Sequence, residues 1–183
     1  MLKRINIVLG KTGAGKSYFV KNKIIPNIKG NLIIFDVMNE YFYNNFLICN
    51  DYYSFLNLLK WKKRHFKIIV KTSNINEIFN IQSFIFKYLK DITIILEEAF
   101  IYLNNNIYDF INFGRHKNIC LVLIGRRGSE FRSEILALTE KIFIFKTTSF
   151  YDIIYYKKIF GLNDTDLEKL KNLETGQYLE FTI

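Results

Sequence analysis

A glycine-rich segment near the amino terminus carries the clearest chemical signal in the sequence. Residues 10–17 read Gly-Lys-Thr-Gly-Ala-Gly-Lys-Ser and satisfy the fixed positions of the phosphate-loop pattern. Glycines let the backbone curl so that its amides point at phosphate oxygens, and a helix that begins here adds its positive end. We therefore expect Lys16 to contact the β- and γ-phosphates of ATP and Ser17 to bind Mg²⁺. The predicted nucleotide-binding residues are Gly10, Lys11, Thr12, Gly13, Ala14, Gly15, Lys16, Ser17 and Tyr18.

Two adjacent carboxylates form a second chemical feature. Glu97 and Glu98 directly follow an apolar, β-branched segment at 92–96 that predicts a buried strand. Two carboxylates at a strand end can supply one ligand to a Mg²⁺ shell and one base to polarise a water molecule. We assign Glu97 to the metal, through water, and Glu98 to the general base. The alternative is that both acids only accompany the start of a following helix.

The elements that position these residues alternate between strand and helix along the chain. Short apolar segments predict strands at 5–9, 32–35, 67–71, 92–96, 119–124, 142–145 and 178–182, and helical periodicity is found at 16–25, 51–61, 75–89, 149–160 and 164–172. A further helical region lies between 97 and 118. This alternation predicts an α/β fold with a mostly parallel sheet covered by helices on both faces. We expect one domain over residues 1–183, with the phosphate loop between the first strand and the first helix.

Composition narrows the class of protein only partly. The net charge is +9 and half of the residues are hydrophobic. Basic charge attracts nucleic acid, although a coding bias towards lysine explains it equally well. Charges interrupt every apolar stretch, so we expect no membrane span. Cys49 and Cys120 are far apart in the sequence, which favours two buried thiols over a metal site or a disulfide.

Several segments occur in the order that is found in one family. They are Lys11-Thr12 in the loop, 33–36 with Glu40-Tyr41 after the second strand, Glu97-Glu98-Ala99, and 114–119 before a later strand. On these residues the chain resembles the FtsK–HerA superfamily of nucleic-acid-pumping ATPases, in particular its small viral genome-packaging members, over roughly residues 5–145. The resemblance implies a P-loop NTPase with a RecA-like (ASCE) core. It also implies a homo-oligomeric ring, pentameric or hexameric, with ATP between subunits and double-stranded DNA through its centre.

The resemblance also suggests roles for arginines. In the family, an arginine just before the fourth core strand acts in trans as an arginine finger, and Arg115 matches that position. The planar, permanently charged guanidinium group can stabilise charge on a transferring phosphoryl group. The alternative for Arg115 is a surface residue at a helix end. Arg126 stands where the family has a polar sensor, commonly glutamine, and receives no role. Arg127 and Arg132 are alternative fingers or DNA contacts.

The resemblance thus implies an ATP-driven translocase of double-stranded DNA that packages a viral genome in the host cytoplasm, with capsid vertex proteins as further partners. A nucleoside or nucleotide kinase is the second class, since the segment 125–132 could form an arginine-rich lid. A nucleotide-gated assembly or secretion protein, similar to filamentous-phage morphogenesis proteins, is the third. The carboxylate pair argues against a kinase, because a kinase gains nothing from activating water.

Overall fold

A single sheet forms the centre of the computed structural model, which describes residues 2–60, 65–103 and 105–183. Its strands are β1 (Ile5–Leu9), β2 (Asn31–Phe35), β3 (Leu47–Cys49), β4 (Lys67–Val70), β5 (Ile92–Leu96), β6 (Ile119–Gly125), β7 (Lys141–Phe145) and β8 (Tyr178–Thr182). They lie in the order β3-β4-β2-β5-β6-β1-β7-β8. Every described pair of neighbours is parallel except β7 and β8, which are antiparallel. The predicted mostly parallel α/β fold is confirmed.

The helices cover the two faces of the sheet unequally. They are α1 (Lys16–Phe19), α2 (Tyr52–Lys60), α3 (Ile75–Tyr88), α4 (Asn105–Phe113), α5 (Ser133–Ala137), α6 (Phe150–Phe160) and α7 (Asp164–Asn172). Buried residues of α2 to α7 pack with one set of strand side chains, such as Ile7 and Ile33. The alternate set, such as Val8 and Ile34, packs with the segment from Phe19 to Ile28 and with Tyr41 and Phe46. Because both faces are covered, the inner strands are mostly apolar, although β1 contains the buried Asn6.

The structure corrects several local predictions. The helix expected over 16–25 is α-helical only to Phe19, continues as a π-helical turn over Val20–Ile24, and ends in a 3₁₀ turn containing Pro26. β3 and α5 were not predicted, and Trp61, the expected end of the second helix, lies outside the described residues. Cys49 and Cys120 are both free, but only Cys49 is fully buried. No helix within the described ranges is long and apolar enough to cross a membrane.

The turn before β8 packs against the phosphate loop. The backbone N–H of Gly176 donates a hydrogen bond of 3.0 Å to the carbonyl of Ala14. A Cβ atom at Gly15 would lie only 2.8 Å from the Gly176 Cα atom. Gly15 also has a φ of +100°, which side chains rarely adopt. The turn that leads into the antiparallel strand β8 therefore packs directly on the phosphate loop.

Alanine substitutions at two loop glycines test this contact. Gly13 has a φ of +78°, but no atom lies within 4 Å of a Cβ placed there. Both variants incur left-handed backbone strain of about 1–2 kcal/mol, and only Gly15→Ala also collides with the turn. We expect urea unfolding to show that Gly15→Ala loses at least about 1 kcal/mol more free energy of unfolding than Gly13→Ala. Equal losses would contradict the contact.

Candidate nucleotide site

The phosphate loop lies at the carboxyl edge of the parallel strands, between β1 and α1. Lys16, only 7% exposed, donates hydrogen bonds from Nζ to the carbonyls of Gly10 at 2.7 Å and Lys11 at 3.2 Å. Burial lowers the pKa of Lys16, while the nearby carboxylates of Glu98 and Glu97 act in the opposite direction. The carbonyls therefore hold the ammonium group inside the loop, where it can meet a phosphate.

Glu97 is buried beside the loop and has two hydroxyl partners. Ser17 Oγ donates to Glu97 Oε1 at 3.1 Å, and the Tyr41 hydroxyl donates to Glu97 Oε2 at 2.6 Å. Burial raises the pKa of Glu97 to about 7, although the hydrogen bonds from Tyr41 and Ser17 and the charge of Lys16 lower it. The two residues assigned to Mg²⁺ in the sequence, Ser17 and Glu97, are thus in direct contact.

Tyr41 reaches Glu97 because the loop after β2 is folded around Asp36. This buried carboxylate accepts hydrogen bonds from the backbone N–H groups of Glu40 at 2.8 Å and Tyr41 at 2.9 Å. Lys71 Nζ lies 3.9 Å from its Oδ2 atom. Burial raises the pKa of Tyr41, so its hydroxyl remains a donor. Sequence reasoning noted the Asp36…Glu40-Tyr41 motif only as a family marker and missed Tyr41 as a partner of Glu97.

Glu98 lies at the same edge but faces different neighbours. Its backbone has the left-handed angles φ 51° and ψ 57°, and a 3₁₀ turn over Ala99–Tyr102 follows. Arg126, which directly follows β6, places Nε 3.3 Å from Glu98 Oε2. The structure therefore brings together the loop, Glu97 and Glu98, and adds Arg126, which had no predicted role.

Arg115 is separated from these groups. It lies in a 3₁₀ turn, Gly114–Lys117, that precedes β6 at the amino edge of the sheet. The side chain is exposed, donates from Nε to His116 Nε2 at 3.3 Å, and lines a cleft of about 940 Å³. Because β6 runs from this edge towards the phosphate loop, Arg115 and the loop of the same chain lie at opposite ends of the sheet. Arg127 is exposed beside Arg126, and Arg132 lies 5.3 Å from the centre of the Tyr108 ring.

A family model agrees with this arrangement. The model described as the central domain of the helicase HerA matches residues 1–158. The chain belongs to this HerA central-domain family. The FtsK–HerA resemblance that was read from the motifs is therefore confirmed. No curated protein sequence matches the chain.

Solved structures show the same fold at low sequence identity. One is the genome packaging NTPase B204 from Sulfolobus turreted icosahedral virus 2 in complex with AMPPCP. It has a TM-score of 0.79 and 18% identity, and the match covers 98% of this chain and 92% of B204. Another is VirB4 of Thermoanaerobacter pseudethanolicus, with a TM-score of 0.67, 12% identity, and coverage of 97% and 86%. The predicted P-loop NTPase fold, with a mostly parallel sheet flanked by helices, is confirmed.

The buried Glu97 should make folding stability depend on pH. Its pKa of about 7 in the folded chain exceeds the ordinary value of 4.5, so the folded state retains the proton longer and loses stability as pH rises through this range. The loss is about 3 kcal/mol by about pH 8. Glu97→Gln cannot lose a proton there. We expect urea unfolding without nucleotide to show that the free energy of unfolding of Glu97→Gln rises relative to that of the wild type between about pH 5 and about pH 8.

A matched control is Glu168→Gln, at an exposed position on α7. The difference in unfolding free energy between this variant and the wild type should stay nearly constant over the same range. If the Glu97→Gln difference is equally constant, the raised pKa of Glu97 in the folded chain is wrong.

Proposed function

We propose that the chain is an ATP-hydrolysing translocase of double-stranded DNA that packages a viral genome. The observation that carries the proposal is the convergence of Lys16, Ser17 and Glu97 at one edge of the sheet, with Glu98 beside them. This set can bind a triphosphate, hold a cation and activate a water molecule. Membership of the HerA family and the fold shared with B204 support the assignment to a motor.

Ser17 and Glu97 fit a magnesium ion. Their oxygens are 3.1 Å apart, close enough for one small cation to contact both or to reach Glu97 through a water molecule. When bound, Mg²⁺ would neutralise charge on the β- and γ-phosphates. Tyr41 and Ser17 hold the Glu97 carboxylate towards this position, and Lys16 places its charge at the phosphates.

Glu98 acts as the general base. In hydrolysis, its carboxylate accepts a proton from a water molecule while the water oxygen bonds to the γ-phosphorus. The bond from the γ-phosphorus to the β–γ bridging oxygen breaks, and ADP leaves. The contacts of the two carboxylates separate the two roles. Glu97 accepts hydrogen bonds from Ser17 and Tyr41, whereas Glu98 lies beside Arg126.

Arg115 is assigned to the site of a second copy in a homo-oligomeric ring. Its place at the amino edge leaves it unable to reach the phosphate loop of its own chain. The cleft that it lines also contains the exposed lysines Lys3, Lys23 and Lys29, for which no contact with a carboxylate is found among the described residues. A cationic cleft beside Arg115 suits the triphosphate held by a neighbouring copy. The ring would enclose the DNA and dock on capsid vertex proteins in the host cytoplasm.

The ATPase rate with and without DNA tests the function. We expect double-stranded DNA to stimulate hydrolysis, and DNA affinity to fall steeply with salt and to show little sequence preference, because a translocase grips the phosphate backbone. Glu98→Gln should bind ATP normally and lose hydrolysis by about a hundredfold or more, since an amide cannot accept the proton.

Other results would point to the other classes. Phosphate transfer to a nucleoside or nucleotide would favour a kinase, and binding of ATP without turnover would favour a nucleotide-gated assembly protein. Salt-resistant binding to one short sequence would contradict translocation.

Mixed rings test the trans role of Arg115. Arg115→Ala should bind ATP through its intact loop but hydrolyse it about a thousandfold more slowly. Mixing it with inactive Glu98→Gln creates interfaces that join an intact Arg115 to an intact Glu98, so part of the activity should return. Lack of recovery, once exchange of labelled subunits has been verified by fluorescence energy transfer, would show that Arg115 does not act in trans.

A further inference from the structure

Arg126 and Glu98 follow two neighbouring strands of the sheet. Strands β5 and β6 are parallel neighbours in which Leu96 pairs with Leu123. β5 ends at Leu96 and β6 ends at Gly125, so Glu98 and Arg126 both lie just beyond the ends of these neighbouring strands. Backbone geometry therefore brings a carboxylate and a guanidinium group together at the edge where the triphosphate is expected.

Arg126 is held by three groups. Its Nε lies 3.3 Å from Glu98 Oε2 and 3.9 Å from Glu130 Oε1. Its backbone N–H donates to Glu130 Oε2 at 2.8 Å. Its Cζ lies 5.0 Å from the centre of the Phe100 ring. Glu130 thus anchors the backbone of Arg126, and the side chain is fixed between two carboxylates and an aromatic ring.

The Glu98 atom that faces Arg126 is the buried oxygen Oε2. Glu98 Oε2 is shielded from solvent and accepts no hydrogen bond from any described residue, and the cationic Arg126 Nε lies 3.3 Å from it. The left-handed backbone at Glu98 turns its side chain out of the strand direction. Each sp³ torsion of a glutamate side chain has three staggered wells, so a charged neighbour can favour one orientation of the carboxylate over the others.

The solvent exposure of the two side chains indicates how much the ion pair contributes to folding stability. The Arg126 side chain is 45% exposed and that of Glu98 is 18% exposed. Ion pairs that are this accessible to water add little to folding stability. The ion pair can still fix the orientation of the Glu98 carboxylate, because the backbone of Arg126 is itself anchored by Glu130. The contact is therefore suited to orienting Glu98 rather than to holding the fold together.

We propose that Arg126 is a positioning residue for Glu98. The inference rests on the proposed role of Glu98 as general base. The guanidinium group holds Oε2, which leaves Oε1 free to take the proton from water while the water oxygen bonds to the γ-phosphorus and ADP departs. Arg126 stays charged throughout and exchanges no proton. It acts on Glu98 and not on the phosphate.

Steady-state kinetics of the full chain provide the first test. We expect Arg126→Gln to lower kcat about tenfold to a hundredfold, with KM for ATP and the affinity for a fluorescent ATP analogue within about twofold of wild type. Arg126→Lys should recover part of kcat, because an ammonium group can still pair with Glu98. The control Lys158→Gln removes one exposed charge on α6 and should leave kcat unchanged. Thermal melts should be similar for all variants.

A double substitution distinguishes action through Glu98 from action on the phosphate. In a Glu98→Gln background, Arg126→Gln should not slow single-turnover hydrolysis of radiolabelled ATP any further. A multiplicative loss, a fivefold weaker affinity for the ATP analogue, or an unchanged or higher kcat in Arg126→Gln would each overturn the proposal. Normal hydrolysis by Glu98→Gln alone would instead refute the assigned base, whatever Arg126 does.

Discussion

The buried Glu97 carboxylate is the group around which the rest of the site is arranged. Removing a carboxylate from water is costly unless hydrogen bonds or opposite charge compensate. Here Ser17 in the phosphate loop and Tyr41 in the loop after β2 compensate part of this cost, although burial still raises the pKa of Glu97. The carboxylate therefore fixes three strand ends relative to one another. Asp36 belongs to the same arrangement, because its hydrogen bonds to the backbone of Glu40 and Tyr41 bring Tyr41 into reach.

Strand order explains how residues so distant in the sequence meet. The central strands lie in the order β2-β5-β6-β1 and are all parallel, so their carboxyl ends share one edge. That edge carries Tyr41, Glu97, Arg126 and the phosphate loop. A parallel sheet needs a crossover after each strand, which leaves this edge to the loops that follow the strands. The polar groups collect there because the strands themselves are buried on both faces.

The sequence predicted the central strands well because strands buried on both faces are mostly apolar, as in Ile92–Leu96, where Thr93 is the one polar residue. It failed for Leu47–Cys49, a three-residue edge strand with one exposed position, which is too short to show a pattern. The phosphate loop and the carboxylate pair were found because their chemistry is local in sequence. The contacts of Tyr41 and Arg126 were missed because they depend on loop folding, strand register and the left-handed backbone at Glu98, none of which produces a periodic signal.

Sheet polarity also constrains how the proposed reaction can be completed. The phosphate loop follows β1 at the carboxyl edge, whereas Arg115 precedes β6 at the amino edge. A strand of five residues spans about 16 Å, more than an arginine side chain can reach, and the packed strands cannot shorten. On the proposed role, Arg115 would therefore act on a nucleotide bound by another copy of the chain. On the assigned roles, a complete site needs two chains, and the carboxyl edge of one must face the amino-edge cleft of the next. Repetition of that head-to-tail contact closes a ring when the rotation between copies allows it.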